Sequence, residues 1–241
     1  MAESRTGLPA TVAEQFIASV LELHPKLAVF DCDGTLWSGD GGQDFLFWEA
    51  RQGLVSKAVA DWALPRYAEY KLGKVDEEIM CGEMVTLHAG IPVTDIEAAA
   101  EKFFRSEIEK RIFPEMQKLV QALADQGCEI WAVSSTNSWV IEAGVRRFGI
   151  PKERVLAASV VCEKGIATDR LIRVPTDEGK AAVIREVIGR VPDAVFGNSI
   201  HDAAMLELAK HPFAVNPNPA LLSLASSRSW PIYQPVPRPH A

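Results

Sequence analysis

Cysteine is scarce in this chain. There are four in 241 residues, Cys32, Cys81, Cys128 and Cys162, with no CxxC pair and no zinc-type spacing among them. This argues against a disulfide-stapled scaffold and a zinc ribbon, and the thiols are expected to stay reduced in a cytoplasmic protein. Long apolar runs are also missing: none approaches the roughly 20 residues that span a bilayer. No basic-then-apolar leader opens the sequence, so a membrane is not an expected partner. Basic residues are in the minority, 25 Lys and Arg against 32 Asp and Glu, which leaves a formal charge of −7. Nucleic acid is therefore not expected as a main partner either. There is no repeat of fixed period, and the only biased stretch is the proline-rich tail Pro231–Pro239. What remains is the composition of an ordinary soluble globular protein, 48% hydrophobic and 24% charged, long enough for one domain with a modest insertion.

The stretch Leu27 to Trp37, LAVFDCDGTLW, stands out. An apolar run of strand type ends abruptly on Asp31, Asp33 and Gly34. In open α/β sheets ligands bind at the C-terminal ends of the strands. Before it, Val12, Phe16, Ile17, Val20 and Leu21 have helical spacing, with Thr11 as N-cap. After it the pattern changes. SGDGGQD reads as a flexible, hinge-like segment, and four helical patterns follow, at 44–52, 56–72, 76–89 and 94–108. A helical bundle over residues 39–109 is expected to stand above the end of the first strand.

From Pro114 strands and helices alternate. Helices are expected at 114–126, 138–148, 180–188, 201–209 and 219–225, and strands at 128–133, 154–161, 193–196 and 213–215. Residues 165–174 read as a β excursion or a loop. This pattern predicts an α/β fold with a doubly wound, Rossmann-like parallel sheet, built from residues 1–38 and 110–241.

In such a sheet four polar clusters would converge on one edge: Asp31 with Asp33, Ser134 with Ser135, Lys180, and Asn198 with Asp202. Two carboxylates beside a glycine turn suit a hard divalent cation such as Mg²⁺, which takes oxygen ligands. A hydroxyl after a buried strand can bond a phosphate oxygen, and a lysine adds a point charge. A carboxylate nucleophile, a neighbouring carboxyl acid, a cation and a phosphate cradle make an aspartyl-phosphate site.

DCDGTLW, a hydroxyl after a strand, a lone lysine and GNSIHDAAML, in that order from Leu27 to Val215, resemble the haloacid dehalogenase superfamily, in particular its phosphoserine-phosphatase-like branch with a helical cap after the first motif. The resemblance implies Mg²⁺-dependent hydrolysis of a small phosphorylated metabolite through an aspartyl phosphate. Asp31 would be the nucleophile and Asp33 the general acid and base. Mg²⁺ would sit between Asp31, Asp33 and Asn198, with Asp202 completing the metal shell or buttressing the lysine. Ser134, Ser135 and Lys180 would hold the phosphate. Asn198 stands where the family more often has aspartate, which implies a less charged metal site. His201 would bond a phosphate oxygen or pack at a helix start. Phosphotransfer to another acceptor, or a ligand-binding module on the same scaffold, are the alternatives, and the chain is expected to be a monomer or homodimer.

Substrate choice would lie between cap and strand ends. Trp37, Asp40, Asp44, Phe45, Phe47, Trp48 and Glu49 make the chain after the first motif acidic and aromatic. Asp40 matches the acidic residue that holds the substrate ammonium in phosphoserine phosphatases. Their cap arginine has no counterpart in residues 76–88, and Arg51 or Arg66 would have to replace it. This favours a phosphocholine-like or phosphoethanolamine-like substrate over phosphoserine.

Overall fold

The computed structural model describes residues 11–236. The sheet is centred on β1 (Leu27–Phe30), whose four residues are all buried, Ala28 and Phe30 toward one layer and Val29 toward the other. Parallel neighbours flank it: β2 (Glu129–Asn137) and β5 (Ala194–Gly197). β3 (Val155–Glu163) continues the sheet beyond β2, and β4 (Ile166–Arg173), β6 (His211–Val215) and β7 (Ile232–Tyr233) complete the order β4-β3-β2-β1-β5-β6-β7. One layer of helices holds α1 (Val12–Leu21), α6 (Pro114–Asp125) and α7 (Ser138–Val145). The other holds α8 (Glu178–Val183), α9 (Ala203–Leu208) and α10 (Pro219–Arg228). Stacked Phe30 and Phe196, 4.3 Å between centroids, lock β1 to β5 within the first layer. Among the described residues no helix is long and apolar enough to cross a membrane.

The architecture is the expected α/β sheet with helices on both faces, and three details differ. The sheet is mixed, because β4 folds back antiparallel on β3 as a hairpin arm. β2 does not stop at Val133; it runs to Asn137 with an irregular register between Ser134 and Asn137, which re-aims those side chains. The tail contributes β7, paired parallel to β6, before residues 237–241, which lie outside the described residues.

Between β1 and α6 lie four helices, α2 (Gly41–Gln52), α3 (Lys57–Lys71), α4 (Glu77–Thr86) and α5 (Val93–Phe103), the segment expected to form a cap. Leu46, Ala63, Tyr67, Val75, Met80 and Met84 form a small core of its own. Phe45, Trp48, Val85, Ile96 and Phe103 instead join the main core alongside Trp37 and Trp139. The two connections to the cap are bonded to each other, Ser38 N–H to Arg111 O (3.0 Å) and Phe113 N–H to Leu36 O (3.0 Å). The β3–β4 arm also grips the cap, through Gly90 N–H to Ala167 O (2.8 Å), Ala167 N–H to Ile91 O (3.0 Å) and Val93 N–H to Gly165 O (2.8 Å).

Two of the three glycines of SGDGGQD lie inside a helix and not in a hinge-like segment. Gly41 and Gly42 are buried in the first turn of α2, which Asp40 caps by accepting Gln43 N–H at 2.8 Å. They are glycines because of close approach: a Cβ on Gly41 would lie 2.7 Å from Asp33 Oδ1, and one on Gly42 2.9 Å from Thr136 Oγ1.

Candidate active site

β1 ends by placing Asp31 at the sheet edge, where it is 5% exposed. Its Oδ1 accepts from Lys180 Nζ at 2.8 Å and its Oδ2 from Thr35 Oγ1 at 2.9 Å. Gly34, with φ +78°, then turns the chain out of the sheet against Asn198. A Cβ at position 34 would fall 1.8 Å from Asn198 Nδ2, so both the turn and the contact require glycine.

Asp33 is held by three donors. Oδ1 accepts from Trp37 Nε1 (2.7 Å) and Gly41 N–H (2.7 Å), and Oδ2 from Thr136 Oγ1 (2.8 Å). Burial, reinforced by Asp40, pushes its carboxyl up to about 6 against these bonds. A carboxyl in that range can give and take a proton near neutrality.

Lys180, buried at the start of α8, bridges Asp31 and Asp202, whose Oδ1 it meets at 2.6 Å. Burial opposes its charge, but Asp202 and Asp31 outweigh it and hold Lys180 well above the ordinary lysine value. One cation thus serves two carboxylates, and burial together with Asp202 pushes Asp31 up to about 7. The other oxygen of Asp202 accepts backbone N–H groups of Asn198 (2.8 Å) and Ser199 (2.9 Å). Both oxygens of Asp202 are thus engaged, one by the lysine and the other by the turn after β5.

Asp31, Asp33, Ser134, Ser135, Lys180, Asn198 and His201 all line one cavity of about 320 Å³ between the strand ends and the cap. Ser134 Oγ accepts Thr136 N–H at 3.1 Å, which turns the β2 end toward the cavity. Ser135 Oγ donates to cap Glu77 at 3.4 Å. His201 is placed between Glu77 Oε2 (2.8 Å) and Asp177 Oδ1 (2.9 Å). Trp37 does not line the cavity. It is fully buried, and its indole serves Asp33, so it acts behind the site and cannot touch a substrate. Phe45 and Trp48, 1% and 6% exposed, are core residues too.

The cap side of the cavity is built from Asp40, Gln43, Tyr67, Tyr70, Lys71, Glu77, Met80, Cys81 and Met84. Lys71 Nζ lies 6.0 Å from the Tyr67 ring centroid and 5.9 Å from that of Tyr70. Arg66 is committed to Glu83 at 2.9 Å. Lys71 is the cation that the sequence reading missed; it lies at a helix end among exposed residues, where no local pattern marks it.

Among the described residues there is no group of three or more His, Cys, Asp and Glu side chains that could hold a metal ion. The donors at the β1 end are oxygens of Asp31, Asp33 and the Asn198 amide, beside a lysine too few to neutralise the carboxylates. This donor set fits one hard divalent cation completed by water and backbone carbonyls.

Comparison with known proteins agrees with this geometry. The profile of the haloacid dehalogenase-like hydrolases matches residues 28–207. A histidinol-phosphatase of Neisseria meningitidis is 25% identical over 86% of this chain and 97% of its own. A phosphoserine phosphatase of Mycobacterium tuberculosis is 27% identical over 95% of this chain and 77% of its own. Among solved structures, a Bordetella pertussis protein of unknown function superposes with a TM-score of 0.75 at 25% identity, covering 86% of this chain and 97% of that one. A substrate-bound phosphoserine phosphatase, with a TM-score of 0.58 at 18% identity over 86% of this chain and 92% of that one, shares the fold. With three quarters of its length matched by the family profile, this chain belongs to the haloacid dehalogenase-like hydrolases.

Proposed function

We propose that this phosphatase hydrolyses the phosphate ester of a small amino alcohol bearing a primary ammonium group. The class includes phosphoethanolamine, phosphoserine and histidinol phosphate. The observation that carries the reading is Asp40: its carboxylate lines the cavity on the cap side, capping α2 through one oxygen and, among the described residues, accepting only a 3.4 Å contact from Tyr67 on the other. A primary ammonium can donate to that second oxygen, whereas the quaternary ammonium of phosphocholine cannot. The Tyr67 and Tyr70 faces already have Lys71 nearby. Lys71 also offers a partner for a substrate carboxylate, which returns phosphoserine to the class. The names of the two relatives support this, since both named substrates are phosphorylated amino alcohols.

In the mechanism that we assign, an Asp31 oxygen attacks phosphorus while the bond to the leaving oxygen breaks and Asp33 protonates that oxygen. Asp33, now ionised, takes a proton from water as the water attacks the aspartyl phosphate, which frees inorganic phosphate and Asp31. Lys180 and Ser134 hold phosphate oxygens, and Asp202 keeps Lys180 charged and placed. Asp31, the Asp33 carbonyl and Asn198 would hold Mg²⁺, which when bound neutralises charge on the transferring phosphoryl group.

The test is a panel of phosphoserine, phosphoethanolamine, histidinol phosphate, phosphocholine and a sugar phosphate, each with Mg²⁺ and with chelator. The expected result is preference for the primary amines, dependence on the metal, and a rise in KM for them alone in Asp40→Asn. Preference for the sugar phosphate or phosphocholine would overturn the substrate reading.

A further inference from the structure

One cluster at the cavity wall is not used by the chemistry above. Glu77, the first residue of α4, spends both carboxylate oxygens on groups around it. Oε1 accepts from Thr176 Oγ1 at 3.1 Å and Ser135 Oγ at 3.4 Å. Oε2 accepts from Tyr70 OH at 3.1 Å and meets His201 Nε2 at 2.8 Å. Burial works against its charge, but His201, Thr176 and Tyr70 prevail and hold its carboxyl below the ordinary glutamate value.

The three core partners come from three separate segments, each of which also carries a residue of the site. Ser135 follows Ser134 at the end of β2. Thr176 lies just before α8, which presents Lys180. His201 lies between Asn198 and Asp202. His201 also reaches, through Nδ1, Asp177 Oδ1 at 2.9 Å. Asp177 has φ +48° and ψ −126°, a backbone conformation costly for a non-glycine residue, and it opens the helix that holds Lys180. From the cap side, then, a single carboxylate reaches the three loops on which the phosphate-binding and lysine-anchoring groups depend. The far half of α4 is fixed as well: Gly82 lies so close to the β3–β4 arm that a Cβ there would meet Leu171 Cδ1 at 3.2 Å.

We propose that Glu77 is a positioning residue for phosphoryl transfer: by clasping Ser135, Thr176 and His201 it sets the register of the Ser134, Lys180 and Asn198 loops against one another and against the cap. It acts through those loops and not by touching the leaving group. This distinguishes it from Asp40, and the two roles separate experimentally. The inference rests on the phosphatase reading only in that turnover is its readout.

The experiment compares wild type, Glu77→Ala, Glu77→Gln, His201→Gln and the Glu77→Ala/His201→Gln pair on two substrates, p-nitrophenyl phosphate and phosphoethanolamine. Loss of a charge-assisted bond network of this kind is expected to lower kcat about tenfold to a hundredfold. The fall should be equal on both substrates, with KM nearly constant. The double variant should be no worse than Glu77→Ala, because both substitutions break one clasp. Glu77→Gln, which keeps an oxygen for Thr176 and Ser135, should recover part of the rate. A loss confined to phosphoethanolamine, a loss carried by KM, or additive losses in the double variant would overturn the proposal. Should Glu77→Ala fail to fold, Glu77→Gln and His201→Gln, whose imidazole is half-buried, are read by the same criteria. Absence of p-nitrophenyl phosphate hydrolysis by wild type would instead overturn the phosphatase mechanism itself.

Discussion

Replacing Gly41 by alanine adds one methyl group behind the active site. Nothing in the backbone forbids it, since Gly41 sits in the first turn of α2 without a positive φ. The methyl carbon, however, would lie 2.7 Å from Asp33 Oδ1, closer than packed atoms tolerate, and the same oxygen receives Gly41 N–H at 2.7 Å. Either α2 recedes or the carboxylate swings away, and in both cases the bond from Gly41 is lost. A hydrogen bond to a charged group contributes about 1.5–3 kcal/mol. If Asp33 must hold that position in the transition state, kcat falls about tenfold to a hundredfold. Because the bond favours the ionised form, its loss also moves the Asp33 carboxyl further up from about 6, and the limb of the pH–rate profile that reports it should shift toward higher pH. The assay is kcat against pH on p-nitrophenyl phosphate, with thermal unfolding to confirm the fold. Gly82→Ala is the control, because its methyl would meet only apolar side-chain ends, Leu171 Cδ1 at 3.2 Å and Val174 Cγ2 at 3.5 Å, and none of the site's polar groups. Wild-type kcat in Gly41→Ala, or equal losses in both variants, would refute the positioning of Asp33 by the start of α2.

Three further outcomes follow from the same geometry. Lys180→Met leaves Asp31 and Asp202 buried without their common cation, and should cost about 3–5 kcal/mol of unfolding free energy in urea. The loss should be smaller in acid, where Asp31, already pushed up to about 7, is protonated. His201 is raised from 6.5 to about 9 by its bond to Glu77, so its stabilisation is complete below 6.5 and is lost as pH rises through about 9. With the imidazole 36% exposed, solvent screening reduces the effect to about 1–2 kcal/mol, read as the pH-dependent difference in stability between wild type and His201→Gln. Asn198→Asp adds a charge to the oxygen donors beside Asp31 and should lower the Mg²⁺ concentration that half-activates the enzyme; an unchanged or higher requirement would argue against Asn198 as a ligand.

The residues at the strand ends were legible because a buried strand that stops on polar groups is a local signal. Asp31 and Asn198 directly follow β1 and β5, Ser134 follows the apolar part of β2 and Lys180 lies in the first turn of α8, and the parallel topology of β1, β2 and β5 gathers them in one cavity. What the sequence hid was mostly non-local. Gly-Gly after Asp40 has the local signature of a hinge, yet its glycines answer to Asp33 and Thr136, packed against the turn from other segments. Trp37 looks like a substrate platform in an aromatic run, but its burial is decided by Phe104 and Phe148, far along the chain. Lys71 and Glu77 are charged residues near helix ends, and only the folding of α3 and α4 over the strand ends gives them a cavity to face. The antiparallel turn of β4 depends on pairing with β3 and on its grip on the cap, neither of which alternation of residue types encodes.

The central claim is that Asp31 carries the phosphoryl group during turnover. Its direct measurement is acid quenching of the enzyme while it turns over phosphoserine or p-nitrophenyl phosphate, followed by borohydride reduction and peptide mass spectrometry. An acyl phosphate is reduced to the alcohol, so position 31 should be recovered as homoserine in the turning-over sample and as aspartate without substrate. Homoserine at position 33, or none anywhere while phosphate is being released, would contradict the account.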